Sequence, residues 1–178
     1  ATILSNPLVT PQTGPSGVKV RKVLVAAGVE IKKEFYLGIA VDRGAGRPVL
    51  IASAEGGVEI EQVAKSNPQA IVREPFDPTS GLAPYQARKV AFRLGFAGKQ
   101  VSQAVMIMAL LARLFVESDA SLAEINPLVL TPPNGDYPDG QVLAIDAKMN
   151  FDDNSLFRQK DLAALADPAE QDAAEVRA

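Results

Sequence analysis

Apolar and polar positions alternate most clearly from Ile31 to Asp42. Ile31, Phe35, Leu37, Ile39 and Val41 fall on one face, with Lys32, Glu34, Tyr36 and Asp42 on the other, the period of a strand. Arg43-Gly-Ala-Gly-Arg-Pro then predicts a turn into a hairpin partner over Val49–Ser53. An earlier stretch, Val18–Ala27, also reads as a strand, and Leu8-Val9-Thr10 as a short one. Glu55-Gly56-Gly57 precedes a short amphipathic helix from Val58 to the approach of Asn67-Pro68, and Ile71–Arg73 reads as a short strand. Pro84 suits the first turn of a helix ending near Leu94, with Gly95 as its stop. Lys99–Glu117 has Val101, Val105, Met108, Leu111, Ala112, Leu114 and Phe115 over a wide arc, which predicts a largely buried helix. Met106 and Met108 read as core fillers. Two further strands, 123–129 and 143–148, flank the polar loop Thr131–Gly140. Strands first, two helices in the middle and a final hairpin predict an α+β fold with a mainly antiparallel sheet packed against helices. Three segments follow: a linker-like start over 1–17, a lobe over 18–158, and an acidic Ala-rich helix or tail over 159–178.

Composition narrows the chemistry. The 178 residues include no Cys and no His, and the net charge is −3 with both signs mixed along the chain. No basic stripe offers itself to nucleic acid or an anionic membrane. The longest apolar run, Ala104–Ala112, is too short to span a bilayer, and no signal peptide is visible. A cytoplasmic or organelle-matrix setting fits. Nucleophile–imidazole pairs, thiolates and His-based zinc sites are excluded within this chain. Carboxylates, amides and Lys remain, a set that favours hard cations such as Mg²⁺.

The final hairpin gathers such groups. Side-chain alternation puts Glu124, Asn126 and Leu128 on one face, and Ala144, Asp146 and Lys148 on one face of the partner. Antiparallel pairing centred on the Thr131–Gly140 loop brings Asn126 near Asp146 and Glu124 towards Lys148. Oxygens of Asn126 and Asp146 are ligands that Mg²⁺ accepts. Two polar residues on facing strands are also what an ordinary solvated hairpin presents, and from spacing alone that is the commoner case. Glu55-Gly56-Gly57 offers backbone N–H groups to an anion, or forms a simple strand-to-helix turn. Lys148 either touches a phosphate or pairs with Glu124, the pairing being favoured. Arg88 and Arg93 read as a solvated helix face.

Several strings together resemble the β-subunit of succinyl-CoA synthetase (succinate–CoA ligase). They are Tyr36-Leu-Gly-Ile-Ala-Val-Asp-Arg43, Ser53-Ala-Glu-Gly-Gly-Val-Glu-Ile-Glu61, Pro84-Tyr-Gln-Ala-Arg88, Glu124-Ile-Asn-Pro-Leu-Val129, Leu143-Ala-Ile-Asp-Ala-Lys148 and Asp153-Asn-Ser-Leu-Phe-Arg158. They stand in family order from about Leu8 to Arg158. The resemblance implies an ATP-grasp fold, in which two α+β lobes hold ATP or ADP (GTP in some members) between them. It implies that Asn126 and Asp146 are Mg²⁺ ligands and that Glu34 receives the ribose hydroxyls. It further implies that Val25-Ala-Ala-Gly-Val29 meets the adenine edge through backbone at Ala26 and Val29. Family members usually carry Glu at the position of Ala26, so one polar contact is missing. Glu124 matches the acidic residue that meets the phosphorylated His delivered by the α-subunit, which accounts for a chain without His. The family reaction uses ATP, succinate and CoA to give succinyl-CoA, ADP and phosphate. Malate–CoA ligase and ATP citrate lyase are related alternatives. A non-catalytic ATP-grasp-like interaction module is a third, supported by Ala26. The family's phosphate clamp is expected before Ala1 and a flavodoxin-like domain after Ala178, so this chain is expected to be inactive alone.

Overall fold

A computed structural model describes residues 2–10 and 13–165. Its centre is a six-stranded sheet of β1 (Lys33–Asp42), β2 (Arg47–Ser53), β3 (Ile71–Pro75), β4 (Ala120–Leu130), β5 (Val142–Ala144) and β6 (Ala147–Phe151). The order is β3-β2-β1-β4-β5, with β6 also on β4, and every pairing is antiparallel. The helices are α1 (Thr2–Ser5), α2 (Ile60–Ser66), α3 (Pro84–Arg93), α4 (Lys99–Glu117) and α5 (Lys160–Ala163). The α+β expectation holds.

One sheet face carries the core. Phe35, Leu37 and Ile39 of β1 and Ala123, Ile125 and Leu128 of β4 meet Ala87, Val90 and Ala91 of α3 and Met108, Leu111, Ala112 and Phe115 of α4. Phe35 and Phe96 stack with ring centroids 4.5 Å apart. By length and composition alone α4 is apolar enough to cross a membrane, contrary to the short run seen in the sequence. Its inward face is nevertheless part of this core. Met106 and Leu114 lie on its outer side and are exposed, so neither fills the core.

Glu74 of β3 is buried on the edge of this core and is held from α3. Lys89 Nζ lies 2.6 Å from its Oε2, and Gln86 Nε2 donates to Oε1 at 3.2 Å. Lys89→Ala is expected to cost about 1 kcal/mol, because a nearly buried carboxylate loses its charged partner while Lys89 itself is largely in water. Urea denaturation measures it.

Several expectations fail for identifiable reasons. Val18–Ala27 forms no strand: Val18 makes an isolated bridge with Leu8, and Leu24 and Val25 are almost fully exposed. The neighbouring β1 already has β2 and β4 on its two edges and offers this run no ladder. Leu8 likewise forms only that bridge. Strand β1 starts at Lys33, leaving Ile31 exposed, and Val41 at its far end is exposed too. Of the acidic tail, α5 is described; residues 166–178 lie outside the described residues.

Asp119 fastens the segment after β6 to the α4–β4 turn. It sits at φ 52°, a left-handed conformation that a short polar side chain tolerates. Arg158 Nε and Gln159 Nε2 donate to its Oδ2 at 2.8 and 2.7 Å, and its carbonyl accepts from Asp152 N–H at 2.9 Å. The hydrogen bonds from Arg158, then Gln159, hold the carboxyl below the usual range. A depressed folded value means stabilisation present above about pH 4 and lost as pH falls through that value. Asp119→Asn is therefore expected to melt below the parent at pH 7, with the difference closing under acid. Melting curves at stepped pH read this directly.

Candidate functional site

The opposite sheet face carries the polar residues, and a bulge in β4 sits beside them. Phe35 pairs with Leu128 and Leu37 with Ile125, so Asn126 and Pro127 together oppose Tyr36. The extra residue turns Leu128 back to the core, correcting the expectation that it shares a face with Asn126. Pro127 has no N–H for a ladder, and the partner chain breaks there into β5 and β6 instead of one strand.

The register survives the break. Leu128 pairs with Ala144 on one side, and Ile125 with Ala147 and Glu124 with Lys148 on the other. Continuing from either side sets Asn126 opposite Asp146. Glu124, Asn126, Asp146 and Lys148 line one cavity of ≈ 380 Å³, and Glu59, Ile60 and Glu61 line it too. The expected Glu124–Lys148 ion pair is absent among the described residues, although the two stand directly opposite. Glu124 Oε2 instead accepts a long hydrogen bond, 3.4 Å, from the Tyr36 hydroxyl.

The segment Glu55–Val58 builds the roof. Gly56 passes so close to β1 that a Cβ there would sit 2.3 Å from the Phe35 nitrogen. Gly57, at φ 69°, lies against Glu34: a Cβ would come 2.2 Å from Glu34 Oε2. Gly57 N–H donates to Asn126 Oδ1 at 3.1 Å, and Asn126 Nδ2 donates to the Val58 carbonyl at 3.2 Å. A donor on one side and an acceptor on the other fix the amide orientation. The Gly57 N–H is thus engaged with Asn126, which removes it as an anion donor; the glycine pair holds Asn126 in place. Glu34, Gly57, Glu59, Gln62 and Asn126 line an adjoining cavity of ≈ 550 Å³ that shares Glu59 and Asn126 with the first, and the two cavities together make the candidate groove.

The donor set suits a hard divalent cation. Asn126 Oδ1 keeps a second lone pair beyond the Gly57 bond, and Asp146 spends only Oδ1, on the Ala147 N–H at 2.9 Å. Glu59, Glu61 and Glu124 surround them with further oxygens, and Lys148 is the cation among the lining residues. No cluster of three carboxylates, His or Cys forms a complete ligand cage among the described residues. A partial oxygen set beside an open cavity is what Mg²⁺ uses when water and phosphate complete its shell.

Residues 1–130 match the family model of the ATP-grasp domain. The chain belongs to the ATP-grasp family. Over 176 residues it is 49% identical to the β subunit of ADP-forming succinate–CoA ligase of Bacillus licheniformis, covering 99% of this chain and 44% of that one. The corresponding subunit of Anaeromyxobacter dehalogenans is 52% identical over 171 residues, 96% of this chain and 42% of that one. The chain thus spans less than half the length of these relatives. A solved ATP citrate lyase of Methanothrix soehngenii, in complex with citrate and coenzyme A, covers 78% of this chain and 29% of its own, at 18% identity and a TM-score of 0.49.

In this ATP-grasp chain the expected adenine contacts, Ala26 and Val29, are exposed and belong to no strand or helix. The structure does not join them to the groove that Glu34, Glu124, Asn126 and Asp146 border. Arg88 and Arg93 are exposed, as a solvated face requires. Glu59 and Glu61 also line the candidate site and Tyr36 reaches Glu124 beside it; periodicity marked none of the three. Two consecutive glycines before a helix were the one visible signal.

Proposed function

We propose that this chain is the nucleotide- and Mg²⁺-binding part of the β subunit of an ADP-forming succinate–CoA ligase. The observation that carries the reading is identity of about one half, over nearly the whole chain, to two subunits so named. Support comes from the groove. Glu34 offers a carboxylate able to accept two ribose hydroxyls, and Asn126 and Asp146 offer oxygens for Mg²⁺. Mg²⁺, when bound, neutralises charge on the phosphate oxygens. The resemblance assigns the base contact to backbone at Ala26 and Val29, which stand apart from the groove in this chain, and without the side-chain contact that Glu would add at position 26.

In the whole enzyme the γ-phosphoryl of ATP passes to an imidazole nitrogen of an α-subunit His, and ADP leaves. The phosphoryl then moves to a succinate carboxylate, giving succinyl phosphate. The CoA thiol attacks its acyl carbon, inorganic phosphate departs, and a thioester remains. Glu124 accepts the N–H of the imidazole's other nitrogen, which fixes the tautomer and supports the positive charge that develops on the ring as it takes the phosphoryl.

The test is the full-length subunit co-expressed with its α-subunit, supplied with ATP or GTP and with succinate, malate or citrate in turn. Thioester formation from ATP and succinate is expected. Turnover with malate or citrate alone would reassign the acid. No phosphoryl transfer to the α-subunit in any arm would leave a non-catalytic ATP-grasp module.

A further inference from the structure

Gly38 and Glu124 stand directly opposite each other across β1 and β4. Gly38 has no side chain, and the ring of Tyr36, two residues earlier on the same face, fills the space above it. A Cβ on Gly38 would come 2.5 Å from the Tyr36 hydroxyl oxygen and 3.0 Å from Cζ. Tyr36 is 3% exposed, on a face that strand alternation alone marks as polar. Its hydroxyl reaches diagonally to Glu124 Oε2 at 3.4 Å. Burial, followed by the nearby Glu124 and Glu61 carboxylates, pushes the phenol well up from its ordinary value. It therefore remains a donor throughout the working pH range. Lys148, opposite Glu124 on the other side, forms no ion pair with it among the described residues.

We propose that Tyr36 is a positioning residue for Glu124, and that Gly38 is the space its ring requires. The inference rests on the role given to Glu124 above. A glutamate carboxylate with three side-chain torsions must be held before it can orient another group. The Tyr36 hydroxyl restrains one oxygen and leaves the other for the imidazole. At 3.4 Å the bond is longer than a tight O–H···O contact, as hydrogen bonds at a site without its reacting groups often are.

The test uses the full-length subunit with its α-subunit and follows phosphoryl transfer from ATP to the α-subunit His. Tyr36→Phe is expected to slow transfer about tenfold, the worth of one hydrogen bond to a charged group, with KM for nucleotide unchanged. Gly38→Ala should reproduce the defect by pushing the ring aside. In a Glu124→Gln background, Tyr36→Phe should add nothing, because both changes remove the same oriented carboxylate. Full transfer rate in Tyr36→Phe beside a slow Glu124→Gln would overturn this inference and leave the Glu124 role standing. A Tyr36→Phe loss that multiplies with that of Glu124→Gln, or that raises KM instead, would also overturn it. Full rate in Glu124→Gln would remove the Glu124 role and this inference with it.

Discussion

Gly56→Ala is expected to lower the melting temperature by roughly 6–12 °C and to loosen the groove at the same time. The added methyl would lie 2.3 Å from the Phe35 nitrogen and 2.6 Å from the Glu34 carbonyl carbon. Both atoms belong to a central strand paired on both edges, so neither can step aside as a long side chain would. Overpacking typically costs about 1–3 kcal/mol, and a backbone obstacle puts this site at about 3. For a chain of this size each kcal/mol moves the midpoint by about 2–4 °C. The likewise non-helical Gly135 has nothing within 4 Å of an added Cβ, so Gly135→Ala should melt like the parent. Paired thermal melts decide it. Equal midpoints for both variants would mean that the roof does not rest on β1 as described.

Asp146→Ala is expected to weaken metal–nucleotide binding by at least about 100-fold. Partners that merely orient a metal ligand are worth about 10–100-fold, and a direct ligand should exceed them. Asp146 is exposed and makes its hydrogen bond only to the Ala147 N–H, so its loss should leave the fold intact. Electron paramagnetic resonance of Mn²⁺ with ADP, titrated with parent and variant, separates bound from free metal. Unaltered Mn²⁺ binding in the variant would remove Asp146 from the site.

The hairpin was legible in the sequence because its register follows from two simple quantities, the strand period and the centre of a loop. Those place Asn126 opposite Asp146, and the structure keeps that register on both sides of the break. The break itself follows from Pro127, whose missing N–H is plain in the sequence even though the bulge beside it is not. Helices α3 and α4 were legible from Pro84, Gly95 and the width of the apolar arc. Tyr36 was not: alternation puts it on a polar face, and its burial comes from packing over Gly38 beside Glu124, which pattern along one strand does not report. Val18–Ala27 misled for the converse reason, since a Val-rich stretch becomes a strand only where an edge is free to pair with it. The role of Gly57 was hidden because its N–H meets Asn126 across 69 positions of chain. Periodicity reports what a segment prefers; a site depends on which segments meet.

The central claim is that this chain binds a nucleotide through a hard divalent cation held at Asn126 and Asp146. Isothermal titration of the chain with ADP, in the presence and absence of Mg²⁺, tests it most directly. The account predicts a saturable heat that requires Mg²⁺. The same heat with and without the metal would contradict it.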